Sequence, residues 1–152
     1  MKEKAILITP DFASARRSID LEDSWKELTE LSSSAGLLVM ENIVTRQKSP
    51  NASLLVGSGK AEELRLLAQK HRADVVVFES DLSGSQQRNL EEILGVKTLD
   101  RTQLILDIFA QRARSTEGKL QVELAQLRYL LPRLSGKGIY LSRLGGGVGT
   151  RG

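Results

Sequence analysis

Gly57-Ser-Gly-Lys60 stands where a hydrophobic run gives way to a helical pattern. Strand, glycine turn, lysine, helix is an arrangement that can hold phosphate, because the first amides of a helix point at the anion and the lysine adds charge. A magnesium-dependent nucleotide loop asks for more: a glycine, four residues, then Gly-Lys followed by Ser or Thr, whose hydroxyl ligates the metal. Here Ala61 follows Lys60, and the leading glycine falls at Leu54. Asp81-Leu-Ser-Gly84 imitates a second nucleotide motif, DxxG, yet no Asn-Lys-x-Asp guanine-reading motif follows it. Gly57, Gly59 and Lys60 are therefore expected to form a tight strand-to-helix turn eased by its glycines, with at most a weak anion site. Glu62 and Glu63 suit the first turn of the helix that follows.

A different chemistry is written at the other end, in Arg143-Leu-Gly-Gly-Gly-Val-Gly-Thr-Arg-Gly152. Gly145, Gly146, Gly147, Gly149 and Gly152, with Thr150 among them, leave a backbone that a nucleic acid can approach closely. Arg143 and Arg151 flank it with guanidinium groups fitted to phosphate contacts or base stacking. Lys137, Arg133, Arg128, Lys119, Arg114 and Arg112 extend the basic character upstream. Recognition would be by shape and backbone charge, as for folded RNA. The alternative is a glycine linker with incidental arginines.

Charge is distributed to match. Residues 1–100 hold 13 Lys/Arg against 16 Asp/Glu, whereas residues 101–152 hold 9 against 3. A slightly acidic body with a basic final third suggests that the latter meets a polyanion. There is no cysteine, which excludes disulfides, thiolate nucleophiles and Cys-based zinc sites, and the lone His71 cannot build a multi-histidine metal site. The apolar run in MKEKAILITP is too short for a signal peptide or a membrane span. A cytoplasmic protein is expected, at most peripheral to a membrane.

The elements that position these residues follow from periodicity. Lys4–Thr9 reads as a buried strand ended by Pro10, and Leu21, Trp25, Leu28 and Leu31 mark one helical face within Ser18–Ala35. Leu37–Thr45 is strand-like, and Ser53–Val56 is a short strand that could form a hairpin with it across Lys48-Ser-Pro-Asn51. A helix over Ala61–Arg72 ends near His71, expected at the surface where the helix dipole favours it. Asp74–Glu79 is a buried strand, Ser83–Leu94 a serine-capped helix, Val96–Leu99 a strand, and Asp100–Gln103 a capping box before Leu104–Arg114. The alternation predicts an α/β fold with a mostly parallel sheet flanked by helices, a mixed sheet being the alternative.

Glu117–Leu134 breaks the pattern. Leu120, Leu124, Leu127, Leu131 and Leu134 recur at four, three, four and three residues, an a/d seam that demands a partner helix. Pro132 is expected to kink or end that helix. The predicted organisation is an α/β domain over 1–114, a long helical arm over 115–134 and a basic glycine-rich loop over 135–152. An unpaired seam running into a glycine loop leads to the expectation of a fragment, and pairing of two copies through the seam is one way to cover it.

DLSGSQQRNLEEILGVKTLDRTQLILDIFAQRARSTEGKLQVELAQLRYLLPRL, followed by LSRLGGGVGTRG, resembles the N-terminal region of the HflX family of translational GTPases. VGSGKAEEL matches the same family, and the resemblance, loose to about residue 50, is dense thereafter. It implies that the glycine loop leads into a second long helix pairing antiparallel with the first, and then into a GTPase domain in cis that uses GTP and magnesium. It also implies binding to the large ribosomal subunit and its rRNA, with a role in splitting or rescuing stalled ribosomes. The loop at Arg143–Gly152 would then approach rRNA near the peptidyl transferase centre, while this chain itself carries no GTP hydrolysis site. Two alternatives stand beside this: a self-sufficient nucleotide-binding enzyme using Gly57–Lys60, and an oligomerisation module built on Leu120–Leu134.

Overall fold

All four residues of Val75–Phe78 are buried, which a strand achieves between two neighbours with helices on both faces. The computed structural model, which describes residues 1–13 and 21–133, has strands β1 (Lys4–Phe12), β2 (Leu38–Gln47), β3 (Val75–Phe78) and β4 (Lys97–Asp100). They form one sheet in the order β2-β1-β3-β4. Every pairing is parallel, so the mixed alternative does not hold. Helices α1 (Leu21–Ser34), α2 (Ser58–His71), α3 (Gly84–Leu94) and α4 (Arg101–Arg112) supply the crossovers and covers, and α5 (Thr116–Leu130) follows.

Side-chain alternation along β1 sorts the core into two layers. Ile6, Ile8 and Phe12 face one side with Val76 and Phe78, where Ala61, Leu64 and Ala68 of α2 and Leu90 and Leu94 of α3 cover them. Ala5 and Leu7 face the other with Val75, Val77 and Leu99, beneath Leu28 of α1 and Leu104 and Ile108 of α4. Each such side chain contributes about 1.5–3 kcal/mol by leaving water.

Two boundaries differ from expectation for clear reasons. β1 runs through Pro10 to Phe12 rather than ending at Thr9. Its pairing with β3 covers only Ala5–Ile8, and the Ile8 carbonyl accepts from Glu79 on that side. Pro10, two residues on, therefore turns its missing N–H toward the side where β3 has ended. Ser53–Val56 is not a hairpin strand. Asn51 and Leu55 form an isolated bridge, the Asn51 carboxamide oxygen accepts from the Ser53 and Leu54 amides at 2.9 Å, and Leu54–Val56 fill the core instead.

Side chains also close the free edge of β4. Gln87 Nε2 donates to the Thr98 carbonyl at 2.7 Å, and the Thr98 amide donates to Glu91 at 3.3 Å. Those peptide groups are thereby withheld from strand addition.

Candidate nucleic-acid interface

The glycine turn is the first candidate surface. α2 begins at Ser58, three residues ahead of the expected Ala61, with Gly57 as an extended N-cap (φ −66°, ψ 157°) and no side-chain cap. Neither Gly57 nor Gly59 has a positive φ; the left-handed residue of this segment is Leu55, at φ 65°. The turn is thus made upstream of the glycines, where the expectation had placed it on them. Lys60 pairs with Glu63 at 2.7 Å, and Glu62 hydrogen-bonds Arg65, whose guanidinium holds that carboxyl below its ordinary range. Because α2 starts early, Glu62 and Glu63 sit beyond its first turn and serve as partners for these cations. Ala61 is fully buried in the core, so its position faces the sheet and not an anion.

Asp81-Leu-Ser-Gly84 has a structural account. Ser83 caps α3 in a reciprocal capping box with Gln86, and Asp81 accepts from Thr102 Oγ1 at 2.8 Å. The buried Asp100 accepts from the Gln103 amide at 2.9 Å and from the Leu82 amide at 3.0 Å. Only half of the box expected at Asp100 forms, since the Gln103 side chain donates to Asp107 at 2.6 Å instead. His71 lies 2.6 Å from Glu41, tying the end of α2 to edge strand β2.

The second surface is α5. Ser115 caps it by accepting from the Gly118 amide, and Leu131–Arg133 tightens into a 3-10 turn at Pro132, which ends the helix early. None of its residues is buried. Leu120, Leu124, Leu127 and Leu131 are 60, 49, 46 and 63% exposed, so the seam faces outward. The inward face is small and polar: Val122, Ala125, Gln126 and Tyr129 are half-buried, and Gln126 reaches Asp107 of α4 at 3.4 Å. Lys119 and Arg128 are exposed on α5, as are Arg112 and Arg114 just before it.

Arg133 belongs to a different group. Its guanidinium donates to the Tyr129 carbonyl at 2.9 Å and to the Leu82 carbonyl at 2.8 Å, and stacks 3.8 Å from the Tyr129 ring centroid. Composition had placed it in the basic stripe; the structure turns its two terminal nitrogens onto carbonyls of the protein itself. Asp107 and Gln126 carried no sequence signal, because a buried carboxylate in a helix reads like any polar position. Of the expected RNA-contacting residues, Arg128 is exposed, whereas Lys137, Arg143, Gly145, Gly146, Gly147, Gly149, Thr150, Arg151 and Gly152 lie outside the described residues, as does Leu134 of the seam.

Comparison with known proteins yields a consistent set. The profile of the GTP-binding GTPase N-terminal family matches residues 22–110, and that of the GTP-binding GTPase middle region matches 112–152. The GTPase HflX of Caldanaerobacter subterraneus subsp. tengcongensis is 51% identical over 151 residues, covering 99% of this chain and 34% of the relative. That of Escherichia coli K12 is 46% identical over 150 residues, with the same coverage of 99% and 34%. A crystal structure of a GTP-binding protein from Sulfolobus solfataricus in complex with GDP superposes with a TM-score of 0.66 at 26% identity, covering 88% of this chain and 38% of that one. The chain thus spans about a third of the length of the curated relatives it matches.

Proposed function

The chain belongs to the GTP-binding GTPase N-terminal family, that of the HflX GTPases, and on that premise we propose that it is the ribosome-binding part of such a GTPase. In this reading the α/β domain carries α5, and α5 presents the basic segment 135–152 to rRNA of the large subunit. GTP and magnesium are used by a GTPase domain joined in cis, and ribosome splitting or rescue is the work of the whole. The exposed leucine seam is the face for a second long helix. Gly57, Gly59 and Lys60 offer at most a weak anion site, since Glu63 competes for the lysine.

The observation that carries the reading is the placement of charge on α5. The helix has no fully buried residue, leaves Lys119 and Arg128 exposed alongside Glu117 and Glu123, and is followed in sequence by a segment in which Lys137, Arg143 and Arg151 meet no acidic residue. Cations kept out of the core are available to phosphate.

Co-sedimentation with large ribosomal subunits across a salt series tests it. Affinity is expected to fall as a power of salt concentration, and each of Arg143→Ala and Arg151→Ala to lower that slope by about 0.7–0.9. Binding that is absent, or that ignores salt, overturns the proposal.

A further inference from the structure

Within the reading of 135–152 as the RNA-facing segment, on which this inference rests, we propose that Arg133 is its positioning residue. The guanidinium fastens the end of the arm to the α/β domain, and so fixes the point from which the chain enters residues 134–152.

The argument begins with how little else holds α5. The helix has no buried residue, and an element with few buried apolar contacts opens at low free energy. Its inward face rests on the body through half-buried Val122 and Ala125 and through Gln126, at a long 3.4 Å from Asp107, and then through its last turn. There Arg133 makes two charge-assisted hydrogen bonds of unlike purpose. The bond to Tyr129 closes its own helix end, and the bond to Leu82 crosses to the loop between β3 and α3. The Tyr129 ring beneath the guanidinium holds the fork in plane.

The carbonyl it grips is itself immobilised. The Leu82 side chain is buried, the Leu82 amide donates to buried Asp100, and neighbouring Asp81 accepts from Thr102. Ser83 then starts α3 with a complete capping box. Arg133 packs close to the start of α3, where a Cβ built on Gly84 would lie at ordinary contact distance, 3.4 Å, from Arg133 Cγ. The end of the arm thus meets a well-bonded anchor at one arginine.

Arg133→Ala and Arg133→Lys in the chain as it stands test the assignment by two readouts. Amide hydrogen exchange over 116–130 is expected to accelerate on the order of 10-fold in Arg133→Ala, with β1 and β3 unchanged. Arg133→Lys, which keeps the charge but loses the fork and the stack, is expected to fall between the two. On large subunits Arg133→Ala is expected to bind several-fold more weakly with its salt slope unchanged, because this guanidinium touches no phosphate.

Unchanged exchange in α5 overturns the proposal. A salt slope lowered by about 0.7–0.9 also overturns it, since Arg133 would then be an RNA contact and not a positioning residue. If the unaltered chain does not bind subunits, the function proposed above fails on its own, and the exchange experiment still decides the role of Arg133.

Discussion

Leu55 and Arg72 share a left-handed backbone, at φ 65° and 53°, and their environments give the same substitution opposite signs. That conformation costs a residue with a Cβ roughly 1 kcal/mol. Arg72 ends α2 in the open, its amide closing back on the helix. Arg72→Gly removes the strain at the expense of a small favourable charge–dipole term, and is expected to stabilise by about 0.5 kcal/mol. Leu55 is buried in the core beside Val56 and Leu64, so Leu55→Gly relieves the same strain but forfeits about 2–4 kcal/mol of packing. Denaturant titration of both variants checks this pair; equal signs would contradict it. Neither conformation was legible in sequence. Gly57 and Gly59 drew the turn to themselves, because glycine advertises backbone freedom whether or not it is used, while a strained leucine looks like core. Caps were more legible. Ser83 and Asp100 precede helical patterns, and their short oxygens have few better uses than an orphan amide.

Among the elements, α5 was the most visible in sequence and the least determined by it. Leucines at four- and three-residue spacing state that an apolar stripe exists, but not which way the helix turns it. The structure turns it outward and docks the opposite face through Val122, Ala125, Gln126 and Tyr129. Tertiary bonds from Asp107 and Leu82 decide that rotation, and their partners lie too far along the chain for local spacing to reveal. With no second helix on it among the described residues, the seam is expected to draw two copies of this chain together. Light scattering should find a concentration-dependent dimer that Leu127→Glu dissociates, because a charge at the centre of a seam is costly to bury. The variant should retain the circular dichroism of the α/β domain, as Leu127 touches none of its core. A monomer at all concentrations would mean that the stripe is too short to pair by itself. The sheet was legible in another way: Ala5–Ile8 of β1 and the whole of β3 are continuous apolar runs, as central parallel strands must be, whereas the length of β1 past Pro10 depended on where β3 happens to stop.

Across the whole molecule, the two glycine-rich segments separate by the charges that accompany them. The one at Gly57–Lys60 sits on an evenly paired surface, where Glu63 meets Lys60 and Glu62 meets Arg65. A magnesium-bound nucleotide there would lack a metal-ligating hydroxyl, and the position that should supply one, Ala61, is packed against the sheet. Substituting serine at 61 would bury the hydroxyl among Leu64 and Val56 and bring it no closer to a metal. The segment at the C-terminus instead follows in sequence a helix on which Lys119 and Arg128 are exposed. Calorimetry of this chain with GTP, with and without magnesium, is accordingly expected to show no magnesium-dependent binding, and Lys60→Ala to leave the titration unchanged. Any anion held at the start of α2 should be weak and screened by salt within a Debye length of about 8–10 Å. Tight binding that needs magnesium and disappears in Lys60→Ala would make the α/β domain a nucleotide site in its own right.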